Sequence, residues 1–401
     1  MSRTIITGID IGTNHIKVVI ADSQERNKDN LKNEFRNHPK IIGIGMSESK
    51  GLRHGYIVNV SDVTESIKRA VKEAEERAGV KVKRAFVSIG GIGLSGIHST
   101  SSIIISKADL EITSLDIKKL QEQCEKDIPN SASLNRKIIH SIPVHYKIDG
   151  KLALGKPEGM KGSKLEIKTL YITCLEHHLN DIIQSVEEAG ISVQDVMASP
   201  IAGSLVTLTK SQKIAGCVLV NIGAETVSAS VFENNIPVSI EIFPIGSTDI
   251  TNDIALGLKV NLEEAEQIKI GAITGSSYPR KKLEEVISAR LSDIFELIET
   301  HLKKIGRDGL LPAGIVITGG GAGLSNIEEA AKQSLRLPSR IGMVNLGLQE
   351  KQSYRDSVWA VAYGLCVFGT HADQDMPINN SGVILGTVWK KILLWLKQFL
   401  P

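Results

Sequence analysis

Cysteine is scarce and scattered. Cys124, Cys174, Cys217 and Cys366 are the only 4 in 401 residues, no two form a C-x-x-C pair, and no histidine stands at ligand spacing from them. That excludes a structural zinc site and a disulfide framework, and leaves simple buried, reduced thiols. An excess of one charge is missing too: the formal net charge is +2, which gives nucleic acid no electrostatic footprint beyond local patches. Nowhere does the chain hold a run of about 18 apolar residues, and residues 1–12 show no charged segment leading into a long apolar core. The expectation is a cytosolic protein of two or three domains, at about 150 residues each, that reaches a membrane only through its tail.

That tail is distinctive. At about 100° per residue, Val388, Trp389, Ile392, Leu393, Trp395, Leu396, Phe399 and Leu400 share one arc, while Lys390, Lys391, Lys397 and Gln398 face away and only Leu394 breaks the pattern. Two of the chain's 3 tryptophans sit at the border positions, which suit a lipid headgroup layer, and the lysines suit anionic lipids. The alternative is a terminal helix docked on its own domain. Against it stands the lead-in, His371 to Gly386, whose Asp373, Asp375, Pro377, Asn379, Asn380, Ser381 and Gly382 have the composition of a solvated tether.

Upstream, Thr4–Asp10 and Ile16–Ala21 read as strands joined by the turn Ile11-Gly12-Thr13-Asn14-His15. Residues 22–39 read as a solvated loop, 40–46 as a strand, and a helix runs from an N-cap at Ser61 to a stop at Gly79, burying Val63, Ile67, Ala70, Val71, Ala74 and Ala78. Val82–Ile89 follows as a strand. The segment 9–18, IDIGTNHIKV, can be laid without gaps on 220–229, VNIGAETVSA. A repeated strand, small-residue turn and strand suggests two related α/β domains facing each other, each offering backbone N–H groups at its turn. A third glycine cluster, Gly314 to Ala322, reads as an apolar strand entering a bare loop before a helix from Asn326. Its glycines let a flat ligand approach the backbone, and the helix start adds positive dipole.

Hairpin, hairpin and triple-glycine turn, in that order, resemble the actin-like ATPase superfamily over Thr4 to about Gly369. The resemblance implies an α/β, actin-like (ribonuclease H-like) two-domain fold that binds ATP with Mg2+. Gly12, Thr13 and Asn14 would line the first phosphate loop, with Lys17 reaching the phosphates and Asp10 holding Mg2+ through water. Gly223, Ala224, Glu225 and Thr226 would form the second phosphate loop. Gly319, Gly320, Gly321 and Ala322 would hold the adenosine, Glu266 and Lys269 would grip ribose and adenine, and Gly246 matches a family glycine opening the second small subdomain. Asp10 and Asn221 are the candidates for catalysis. The superfamily's hydrolytic members usually carry Asp where this chain has Asn221, and Glu or Gln where it has Ser199. An amide is no base near neutral pH, so the expectation is ATP binding with weak or absent hydrolysis.

Gly51-Leu52-Arg53-His54-Gly55-Tyr56-Ile57-Val58-Asn59, Val87-Ser88-Ile89-Gly90-Gly91 and Glu187-Glu188-Ala189-Gly190-Ile191 resemble the FtsA family of bacterial cell-division proteins. Glu263 to Lys269 is similar to FtsA and MreB alike. The family implies an inserted α/β subdomain at 84–167, with strand-like 85–89 and 101–105 and helix-like 115–126. It implies a first core of 1–83 with 168–200 and 353–370, a second core of 201–247 with 313–352, and a small FtsZ-binding subdomain at 248–312. A linker at 371–387 and a membrane-targeting helix at 388–401 complete it. Lys281, Lys282 and Arg290 would contact the C-terminal peptide of FtsZ, beside an apolar helix face of Leu283, Ile287, Leu291 and Ile294. Further expected partners are the chain itself in a head-to-tail filament, anionic lipids and later division proteins, at the cytoplasmic face of the bacterial membrane at the division site. The rivals are a PilM-like pilus-assembly scaffold and an actin-fold small-molecule kinase; no acceptor loop with a catalytic Asp supports the kinase.

Overall fold

The computed structural model describes residues 4–26, 38–272, 278–344, 346 and 357–372. Three sheets carry the fold. In the first, β1 (Ile5–Ile11) and β2 (His15–Arg26) form an antiparallel hairpin in which Asp10 faces Lys17 and Ile11 faces Ile16. β3 (Pro39–Glu48) extends it on one side; on the other, β6 (Arg84–Ile89) and β11 (Ser192–Ala198) run parallel to β1. A two-stranded hairpin, β4 (Leu52–Arg53) and β5 (Tyr56–Ile57), stands beside this sheet. β2 reaches further than its expected end at Ala21, because Ala21 and Asp22 still pair with β3.

Helix α1 (Val60–Ala78) packs on β2 and β3 through Val63, Ile67, Ala70, Val71 and Ala74. Its stop at Gly79, φ 66°, is the expected one, but the N-cap is Asn59 and not Ser61. Asn59 has the extended backbone that a cap needs, and its side chain accepts the Asp62 N–H at 3.3 Å.

A second sheet contains β7 (Leu94–Ile104), β8 (Arg136–Ile148), β9 (Lys151–Leu152) and β10 (Lys164–Leu175) in the order β7-β10-β8-β9. α2 (Ser114–Lys126) covers it, and the short α3 (Asn130–Ser133) follows. Ile112, Leu120, Cys124, Leu165, Ile167 and Tyr171 form a separate core here. Both expected limits of the insertion, 84 and 167, therefore move: β6 belongs to the first sheet, and β10 stays in the inserted sheet as far as Leu175. Alternation and apolarity mark a strand, but they do not say which sheet it joins.

The third sheet repeats the first strand for strand. β12 (Cys217–Ile222) and β13 (Val227–Glu233) form the hairpin, and β14 (Ile236–Phe243) extends it antiparallel. β15 (Ile315–Thr318) and β16 (Ser339–Ile341) lie parallel on the other side. Helices α4 (Glu176–Glu188), α5 (Ser199–Thr207) and α6 (Lys210–Ala215) lead from the inserted sheet to this one. Beside it stand α7 (Ser247–Leu258), α8 (Leu262–Lys269), α9 (Arg280–Lys304) and α10 (Ile327–Leu335), and α11 (Ala360–Ala372) returns to pack on β1 and α5. All four thiols are buried, and burial pushes those of Cys174 and Cys217 up to about 12.

Candidate functional site

The two repeated hairpins point their turns into one cleft of about 520 Å³, a size suited to a small organic ligand. Their backbones match. A Cβ on Gly12 would lie 2.8 Å from the His15 carbonyl oxygen, and one on Gly223 would lie 2.9 Å from that of Thr226. Either turn is too tight for a side chain at its first position.

The chemistry of the two turns does not match. Asp10 and Lys17 are the one carboxylate and the one lysine or arginine on the cleft wall among the described residues. They pair at 3.0 Å, and Ser88 Oγ donates to the other Asp10 oxygen at 2.9 Å while accepting the Ile11 N–H at 3.3 Å. Ser88 thus holds the carboxylate from β6. The equivalents of Asp10 and Lys17 in the second hairpin are Asn221 and Ser228, both on the wall and both uncharged. His15 also lines the cleft, and burial, then the Lys17 ammonium, holds it below its usual pKa.

Three helix starts open on the same space: Ser199 and Pro200 of α5, Ser247 of α7, and Ala360 and Val361 of α11. Each brings the partial positive charge of a helix start toward the cleft, and at α7 the Ser247 and Thr248 N–H groups donate to the Gly223 and Ala224 carbonyls at 2.9 and 2.8 Å, which ties this helix to the second turn. Ser199 is held by its Oγ donating to the Ile89 carbonyl at 3.0 Å, and the preceding Ala198 N–H donates to buried His140 Nε2 at 3.0 Å. Gly319 and Gly320 face the cleft at the end of β15. Gly319, φ 90°, has its missing Cβ 2.2 Å from Asn221 Oδ1, so the third glycine turn is seated on the second hairpin.

The cleft thus gathers Asp10, Gly12, Thr13, Asn14, Lys17, Asn221, Gly223, Ala224, Thr226, Gly319 and Gly320 from the sequence-based set. Six others stand off its wall. Gly321 and Ala322 turn into a short 3-10 helix, Gly320–Gly323, where Gly321 packs on Ile222. Gly246 lies behind the second turn, its missing Cβ 2.2 Å from the Ala224 oxygen. Glu266 and Lys269 pair at 2.6 Å, and Lys269 Nζ also meets Thr251 Oγ1 at 2.7 Å and the Ser247 carbonyl at 3.1 Å. They brace α8 against α7 instead of facing the ligand space. Glu225 turns to His54, its carboxylate accepting the His54 backbone N–H.

Missed by sequence reasoning were Ser247, Ile270 and the segment Ser357–Val361, all on the wall. The last is an apolar stretch that reads as core, and only the fold shows that it starts in the cleft.

On α9, Lys281 and Lys282 are exposed, whereas Arg290 makes a two-point pair with Asp253 of α7 at 2.6 and 3.0 Å. Ile287, Leu291 and Ile294 are buried in the second core and Leu283 packs against it, so the expected apolar docking face is already used inside the protein. Residues 371–387 lie outside the described residues from 373 on, and all of 388–401, Trp389, Trp395 and the three lysines included, lies outside them.

Two facing sheets of one topology, a cleft between paired hairpin turns and an inserted α/β sheet define an actin-like ATPase fold. Solved structures agree. A PilM–PilN type IV pilus biogenesis complex superposes with a TM-score of 0.66 at 16% identity, covering 92% of this chain and 99% of that one. MreB5 of Spiroplasma citri bound to AMPPNP gives 0.51 at 12%, covering 94% and 98%. At these identities the likeness is one of fold alone. The family models are more specific: "Cell division protein FtsA" matches residues 218–364, and "SHS2 domain inserted in FTSA" matches 91–173, within the inserted sheet and its flanks. Among relatives, FtsA of Pseudomonas aeruginosa is 28% identical, covering 95% of this chain and 93% of its own length. FtsA of Borreliella burgdorferi is 29% identical, covering 86% and 85%. The chain belongs to the FtsA family of cell-division proteins.

Proposed function

We propose that this protein binds ATP with Mg2+ in the cleft, assembles head to tail, and ties FtsZ filaments to the cytoplasmic face of the membrane at the division site. The observation that carries the nucleotide reading is the pair of glycine turns lining one cleft, with Lys17 beside the first of them and three helix starts on the same wall. Such backbone N–H groups suit phosphate oxygens, and Lys17 adds a point charge. Asp10, the sole carboxylate on the wall among the described residues, would hold Mg2+ through water, and the ion would neutralise phosphate charge. Asn221 supplies no base, which fits binding with little turnover.

The outward reading rests on family membership and on charge. Exposed Lys281 and Lys282 on α9 suit an acidic peptide such as the FtsZ C-terminus; Arg290, committed to Asp253, would meet it from the edge. The tail from Trp389 to Leu400 would add about 1 kcal/mol per lysine on an anionic leaflet, plus part of about 1.5–3 kcal/mol for each large apolar side chain it inserts. A single tail then binds reversibly, and a filament of many tails binds far more tightly.

Co-sedimentation of the full chain with anionic liposomes and the FtsZ peptide, with and without ATP, tests this. Deleting residues 388–401 should abolish liposome sedimentation and leave ATP affinity unchanged. Lys281→Glu with Lys282→Glu should lose the peptide alone. Retained sedimentation of the truncated chain, or no peptide binding by the intact one, would refute the tether.

A further inference from the structure

The second glycine turn carries a charge that its partner lacks. Glu225 corresponds by register to Asn14, which lines the cleft; the Glu225 carboxylate instead accepts the backbone N–H of His54. His54 Nδ1 lies 3.3 Å from the Glu225 carbonyl oxygen, a hydrogen bond when the ring proton sits on Nδ1. The contact has two points and joins opposite sides of the cleft. His54 is at the tip of the β4–β5 hairpin, φ 48°, beside Gly55 at φ 83°. The tip is fixed from its own side as well: the His54 carbonyl accepts the Ile92 N–H at 3.2 Å, and a Cβ on Gly55 would lie 2.3 Å from the Gly91 Cα. Gly55 itself lines the cleft. The hairpin tip therefore lies over the ligand space, anchored where the inserted sheet begins and reaching the second body through Glu225.

We propose that Glu225 and the His54 tip form a clasp that holds the two bodies together across the cleft and gates the exchange of an anionic ligand. In the closed state the carboxylate is spent on His54 and kept away from the turn. When the clasp opens, the same carboxylate is freed beside backbone N–H groups that attract anions, so opening both uncovers the ligand and repels it. Broken, the clasp speeds entry and exit alike, which distinguishes a gate from a contact that only adds affinity. The ligand's identity as a nucleotide rests on the function proposed above; the clasp itself does not.

The test uses the full chain. Without nucleotide, hydrogen exchange over residues 52–57 should be about 10-fold faster in Glu225→Ala than in the wild type. In Glu225→Gln, whose amide oxygen still accepts the His54 N–H, it should stay slow. With a fluorescent ATP analogue and Mg2+ in stopped flow, Glu225→Ala should raise association and dissociation rates together by about 10-fold. Equal exchange in wild type and Glu225→Ala overturns the clasp. Changed exchange with unchanged ligand rates overturns the gate. A wild-type chain that binds no analogue yet shows the exchange difference supports the clasp and overturns the nucleotide reading instead. Should Glu225→Ala misfold by circular dichroism, His54→Ala keeps the backbone N–H, loses the Nδ1 contact and should give an intermediate rise in exchange; no rise overturns the two-point contact.

Discussion

The Gly12 turn and the Gly223 turn are one backbone with two chemistries. Each closes the same kind of hairpin, and each excludes a Cβ by nearly the same margin, 2.8 against 2.9 Å. Yet on the cleft wall the first half supplies the charges, Asp10 and Lys17, and the second supplies Asn221 and Ser228. Duplicated geometry makes the cradle, while divergence of side chains makes one half grip and the other half shape.

Valine at either turn glycine tests the shared part and should act most strongly. Gly12→Val and Gly223→Val should each weaken ATP binding by more than about 100-fold, since the carbonyl in the way is backbone and cannot step aside. Similar losses, read by calorimetry, would sustain the equivalence of the turns, and a tolerated Gly223→Val would break it. Next comes the unshared part. Lys17→Ala removes a charged contact of about 1.5–3 kcal/mol, so affinity should fall by about 10- to 100-fold; Ser228→Ala, at the matching register position, should change it by less than about 2-fold. Equal effects would mean that the second half also grips.

The smallest effect concerns how the halves are supported. Each has a buried histidine held neutral: His140, which accepts the Ala198 N–H, and His301, whose Nε2 is hydrogen-bonded to Ser239 Oγ at 2.9 Å. Burial pushes both down to about 4 from 6.5; at His301 burial prevails although Glu241 lies 3.6 Å away. Because the unfolded chain takes up these protons first, their contribution is intact above about pH 6.5 and declines as pH falls toward 4. The melting midpoint should drop by several degrees over that window, and His140→Gln or His301→Gln should each flatten part of the drop. A slope untouched by either variant would assign the loss to carboxylates.

Much of this was legible in the sequence. IDIGTNHIKV and VNIGAETVSA announced two like hairpins because a tight turn restricts which residues can stand there, and that restriction survives when the rest of a domain drifts. What lay beyond reading was direction. The Glu266–Lys269 spacing was correct for a pair, but Ser247 and Thr251, distant in sequence, draw Lys269 inward. The apolar face of α9 was real, yet amphipathicity does not say whether a partner or the protein's own sheet covers it. Arg84–Ile89 was a strand whose sheet only pairing could decide. Ser357–Val361 gave no signal, because a cleft wall made of backbone and apolar surface looks like core.

Helix α11 begins at Ala360 on the ligand's wall and ends at Ala372, so its 13 residues make a strut about 20 Å long. Directly after it in sequence comes the segment that leads to the C-terminus. Packed against β1 and α5, the strut runs as one helix from the cleft wall to Ala372. One unbroken helix therefore links the cleft wall to the residue that precedes 373–401 in sequence, so a ligand that shifts Ala360 would be expected to displace Ala372 with it.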